Sequence, residues 1–62
     1  MLNIKQRQMN LKFLGYYGGN IDGIVGNGTI SAYEAFQKDY GLVVDGIYGA
    51  KTDAKLIEVI RA

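Results

Sequence analysis

One nine-residue segment occurs twice in this chain. Ile21-Asp22-Gly23-Ile24-Val25-Gly26-Asn27-Gly28-Thr29 is matched 23 residues later by Val44-Asp45-Gly46-Ile47-Tyr48-Gly49-Ala50-Lys51-Thr52. Asp, Gly, Ile, Gly and Thr coincide in order, and Ile pairs with Val at the first position, so the segments read as two copies of one loop. In each copy the carboxylate of Asp22 or Asp45 can accept a backbone N–H two residues on. Gly23 or Gly46 then takes the positive φ that the turn requires. Ile24 and Ile47 are apolar residues inside polar loops, and their burial is expected to peg each loop to the core for about 1.5–3 kcal/mol. Gly26 and Gly49 permit a close approach before Thr29 and Thr52 open a helix, as N-cap or first-turn residues.

Helices are expected around both copies. Between Leu2 and Leu14, Ile4, Leu11 and Leu14 share one stripe, flanked by Met9 and Phe13, and Gly15 stands where a left-handed C-terminal residue belongs. From about Gly28 to Tyr40, Ala32, Tyr33, Phe36 and Tyr40 follow helical spacing, and Gly41 is the stop. From about Lys51 to Arg61, Leu56, Ile57 and Ile60 supply a third apolar face. Strand signals are confined to pieces such as Leu42-Val43-Val44, which could pair briefly with Ile21. The pattern predicts an all-α, compact three-helix domain, with residues 1–62 as one unit and the two Asp-Gly-x-x-Gly-x-x-Thr loops preceding helices two and three.

Composition removes most chemistry from a chain of this size. Cysteine and histidine are both absent, so disulfides, thiol catalysis, Ser-His-Asp arrangements and the usual zinc ligand sets are excluded. A net charge of +1 is too small for the counterion release on which nucleic-acid binding depends. No apolar run approaches the ~20 residues of a membrane span, and the N-terminus lacks the shape of a signal peptide. Neither loop carries the alternating oxygen ligands of an EF-hand, so no metal or cofactor is expected. Gly46 to Thr52 resembles a phosphate loop only superficially, because Ala50 breaks the Gly-Lys-Thr core.

Gln8, Leu11, Leu14-Gly15-Tyr16-Tyr17, Ile21-Asp22-Gly23-Ile24, Gly26, Thr29, Ala32, Phe36-Gln37, Gly41-Leu42, Asp45-Gly46-Ile47, Gly49, Thr52 and Leu56 together resemble the peptidoglycan-binding domain family of bacterial and phage cell-wall hydrolases. The resemblance covers nearly the whole chain. It implies a three-helix module without catalysis that anchors a separate hydrolase, such as an endolysin, amidase or autolysin, to peptidoglycan in cis or in trans. The site of action would be the bacterial cell wall, reached from a phage-encoded cytoplasmic product at lysis or by export within a larger protein. Two departures stand out. Arg7 occupies a position that the family usually gives to an apolar residue, which leaves that face more polar or the Arg stem lying over the core. Asn27 and Ala50 stand where the family often has proline. Asn27 can cap through its side chain and Ala50 cannot, so a looser start is expected for helix three.

Tyr16, Tyr17 and Tyr48 lie in or beside the glycine-rich loops, where a phenol can set its face against a sugar ring and offer a hydroxyl. Each also has a plainer reading, as a ring completing a small core. Tyr48, whose counterpart is the aliphatic Val25, is expected at the surface. Tyr40, at the end of helix two, reads as structural but could reach a groove. Asn20, Asn27 and loop N–H groups complete the candidate ligand contacts. Lys51 could offer charge to peptide-stem carboxylates, with a solvated surface as the plainer reading. Asp22 and Asp45 could be pictured as the acid and nucleophile of a glycosidase, but duplicated loops share one environment and such pairs need two. They read as turn-makers, and no catalytic residue is expected. A module that docks another protein in a cell-wall or spore assembly is the alternative.

Overall fold

Asn3 starts the first helix by closing a capping box. Its Oδ1 accepts the Gln6 N–H at 2.9 Å while Gln6 Oε1 accepts the Asn3 N–H at 2.9 Å, which satisfies two of the donors a helix start leaves open. In the computed structural model, which describes residues 1–62, α1 runs Ile4–Phe13, α2 Asn27–Asp39 and α3 Ala50–Arg61. There is no strand, and Leu42-Val43-Val44 does not pair with Ile21.

The glycines end the first two helices as the sequence predicts. Gly15 and Gly41 take φ of 92° and 68°. Tyr16 N–H then donates to Leu11 O at 2.8 Å and Leu42 N–H to Gln37 O at 2.9 Å, closing the carbonyls of each last turn. The starts of α2 and α3 differ from expectation. Gly26 and Gly49 are the N-caps, with φ/ψ of −102°/−172° and −99°/−173°, and neither cap uses a side-chain hydrogen bond. Asn27 is therefore the first helical residue rather than a cap, and α3 starts in the same geometry as α2. Thr29 and Thr52 sit in the first turns.

Leu11, Tyr17, Ala32, Tyr33, Phe36, Tyr48 and Leu56 form one core, with Leu2, Leu14, Tyr16, Leu42 and Val59 packed against it. Met9 and Phe13, expected beside the stripe of α1, are exposed, and Val59 packs on the core where Ile60 lies at the edge. Three of the seven core residues are tyrosines, so their hydroxyls need partners. Tyr17 donates to Asn20 O at 2.6 Å, Tyr48 to Asp53 Oδ1 at 2.8 Å, and Tyr33 accepts from Arg7 Nη1 at 3.4 Å. The Arg7 guanidinium lies 4.1 Å from the Tyr48 ring centre, and its Nε donates to Leu2 O at 2.9 Å. Arg7 thus lies over the core, the second of the two arrangements its position suggested.

Candidate functional site

The two loops are held by two glutamines. Gln8 on α1 and Gln37 on α2 are fully buried, and each carries a donor and an acceptor in one plane, as a peptide group does. Gln8 Oε1 accepts the N–H groups of Asp22 and Gly23 at 3.1 and 3.0 Å. Its Nε2 donates to Asp22 Oδ1, Ile24 O and Thr29 Oγ1 at 3.1, 3.0 and 3.2 Å. Gln37 repeats the set. Its Oε1 accepts from Asp45 and Gly46 at 3.2 and 3.0 Å, and its Nε2 donates to Asp45 Oδ1, Ile47 O and Thr52 Oγ1 at 3.1, 3.0 and 3.1 Å. Gly23 and Gly46 take φ of 75° and 69°, so the loops are twin hinges in shape as well as in sequence.

The carboxylates are committed to these turns. Asp22 Oδ1 accepts the Ile24 N–H, and Asp45 Oδ1 the Ile47 N–H, both at 2.9 Å. That backbone N–H, followed by the Gln8 amide, holds the Asp22 carboxyl below its ordinary value. The two Asp have matching hydrogen-bond partners and both serve a turn, which gives no basis for dividing acid and nucleophile roles between them. No group of three His, Cys, Asp or Glu residues converges to hold a metal.

The glutamines take the role that the sequence suggests for the isoleucines. Ile24 and Ile47 are 67% and 68% exposed, so neither pegs its loop. A hinge carries polar backbone that must be paired when it meets the core, and an aliphatic side chain cannot pair it. Ile21, Val25, Val43 and Val44 are also exposed. Both hinges therefore present aliphatic groups to solvent.

The candidate ligand residues fall in three places rather than one. Tyr17, Asn20 and Asn27 lie around the first hinge, with Asn20 and Asn27 exposed and Tyr17 buried. Tyr16 and Tyr40 flank Phe36, with ring centres 5.6 and 4.7 Å from it. Tyr16 is half-buried and donates to Asp39 Oδ2 at 2.8 Å; burial first, then Asp39, pushes its pKa up to about 12. Tyr40 is partly open to solvent. Tyr48 is buried, against the expectation of exposure, because Arg7, Tyr33 and Asp53 enclose it. Its phenol is raised by burial and by Asp53.

Lys51 stands at the second hinge, beside a cleft of about 470 Å³. The cleft is lined by Gln37, the linker Gly41, Leu42, Val43 and Asp45, and by Ile47, Gly49, Ala50, Lys51 and Thr52. The sequence reading missed this linker as lining and gave Gln8 and Gln37 no role. A glutamine on the inward side of each helix, level with Leu11 or next to Phe36, was the available signal.

The profile of the peptidoglycan binding domain family matches residues 2–56. Over 59 residues the chain is 41% identical to a spore cortex-lytic enzyme of Bacillus cereus, covering 95% of this chain and 23% of that enzyme. It is 38% identical to the N-acetylmuramoyl-L-alanine amidase CwlL of Bacillus licheniformis, covering 94% of this chain and 18% of the amidase. The chain thus spans less than a quarter of these relatives. The crystal structure of the SleB N-terminal domain superposes with a TM-score of 0.89 at 41% identity, covering 95% of this chain and 81% of that one.

Proposed function

Because the chain belongs to the peptidoglycan binding domain family, we propose that residues 1–62 act as one domain that binds bacterial peptidoglycan and holds a cell-wall hydrolase module at its substrate, without cleaving it. The family match across residues 2–56 carries this reading. The stretch shared with the cortex-lytic enzyme and the amidase is a minor part of their length, as a module separate from a catalytic one would be. The exposed aliphatics of both hinges and the cleft at the second support contact at the hinges, with Asn20 and Asn27 at the first, Lys51 at the second and Tyr40 apart from both, beside Phe36, as the accessible polar and aromatic side chains. Tyr16, Tyr17 and Tyr48 are packed into the domain and act by fixing its local shape.

Anchoring requires no tight site. A wall polymer repeats its units, so weak binding at each repeat keeps an attached catalytic module at high local concentration. The relatives named above are bacterial, which favours a bacterial lytic enzyme over a phage endolysin as the setting. The test is a fusion of this chain to a hydrolase catalytic module that lacks its own binding domain. The fusion is expected to clear purified walls at lower concentration than the bare module. Equal clearing by both would contradict anchoring, and capture of a protein from wall extracts without retention on peptidoglycan would select the docking alternative.

A further inference from the structure

The twin hinges differ in how they are filled: the Tyr17 ring packs into the first, and a cleft opens at the second. Tyr17 and Val43 are each the second residue beyond the left-handed glycine that ends a helix, Gly15 and Gly41. Tyr17 turns its ring into the first hinge. Its hydroxyl lies 3.5 Å from Gln8 Nε2, and a Cβ added at Gly28 would stand 3.7 Å from the ring carbon Cε1. The counterparts of Gln8 and Gly28 are Gln37 and Lys51, and both line the cleft. Val43 lies there too, 77% exposed and without a ring to fill the space. Lys51 brings an ammonium to this position, and the chain's one ion pair, Lys55–Glu58, leaves it unpaired.

We infer that the cleft of the second hinge seats one pyranose ring of the glycan in the position that the Tyr17 phenol holds in the first, with a carboxylate on that sugar's peptide substituent reaching Lys51. This rests on the peptidoglycan-binding reading and adds its subsite. Leu42, Val43 and Ile47 supply apolar lining. The volume lies within the range of about 300–1,000 Å³ that small-molecule sites occupy.

The probes are muramyl dipeptide, which carries one free carboxylate, and neutral chitotetraose, each titrated into the isotope-labelled chain while amide shifts are followed. Both are expected to move Gly41 to Asp45, Ile47 and Lys51. Lys51→Gln is expected to weaken muramyl dipeptide about tenfold and to leave chitotetraose unaffected. Val43→Tyr, which places a ring where the first hinge has Tyr17, is expected to weaken both about tenfold or more with the remaining shifts unchanged. Shifts centred on Asn20 to Asn27, or a folded Val43→Tyr that binds like the parent, would overturn the subsite. If Val43→Tyr does not fold, the shift map of the parent chain decides. A chain that pellets with peptidoglycan while neither probe moves the cleft loses the subsite and keeps the binding role; one that does neither loses both.

Discussion

The Tyr48 hydroxyl and the Leu2 backbone N–H meet on one oxygen, Asp53 Oδ1, at 2.8 and 2.9 Å. A single carboxylate on α3 thereby ties the second hinge to the N-terminal segment. Burial works to raise the Asp53 pKa, but the Leu2 N–H and the Tyr48 hydroxyl outweigh it and hold it below the ordinary value. A depressed folded-state pKa contributes stability above the unfolded value of about 3.9 and loses it as pH falls through the folded one. Thermal melting is expected to hold level from neutral pH to about 5 and to fall below about 4. Asp53→Asn should make that fall shallower, with Asp22 accounting for part of what remains. An unchanged acid profile in the variant would contradict the tie.

Gln8→Ala and Gln37→Ala should destabilise the chain by similar amounts, about 2–4 kcal/mol each, because each leaves buried hinge groups without partners. Urea midpoints measure this. A loss below about 1 kcal/mol at either position would show that water replaces the glutamine and that the hinge does not depend on it.

Ile24→Ser and Ile47→Ser should change stability by no more than about 0.5 kcal/mol, as is usual for exposed positions. A loss above about 1.5 kcal/mol, the scale of a buried aliphatic, would restore these residues as pegs.

Tyr16 should ionise near pH 12 rather than at the ordinary 10.0, read from its phenolate absorbance against a Tyr16→Phe control. A raised folded-state pKa gives stability that is present below the unfolded value and lost as pH climbs toward the folded one. Asp39→Asn should bring the titration closer to 10.0. A Tyr16 that titrates at its ordinary value in the parent chain would contradict the Asp39 hydrogen bond.

The helices and hinges were legible because their signals are local. Gly15 and Gly41 end helices through their own backbone conformation, and Asp-Gly writes its turn into adjacent residues. What depended on partners far along the chain was not legible. An apolar residue in a polar loop reads as a peg until a buried amide is seen to do the pegging. Gln8 lies 14 residues from Asp22 and Gln37 only 8 from Asp45, so their shared role breaks the 23-residue spacing of the loops. Tyr48 is buried through Arg7 and Tyr33, residues with no part in the repeat. The cleft lies beside the shorter linker that precedes the second hinge, and its lining depends on how that linker packs.

Co-sedimentation of the purified 62-residue chain with washed bacterial peptidoglycan, with the supernatant assayed for released sugar and peptide ends, measures binding and cleavage together. The account predicts that the chain moves to the pellet in a saturable way and that no ends are released. A folded chain that stays in the supernatant at every peptidoglycan load, or one that liberates wall fragments, would contradict it.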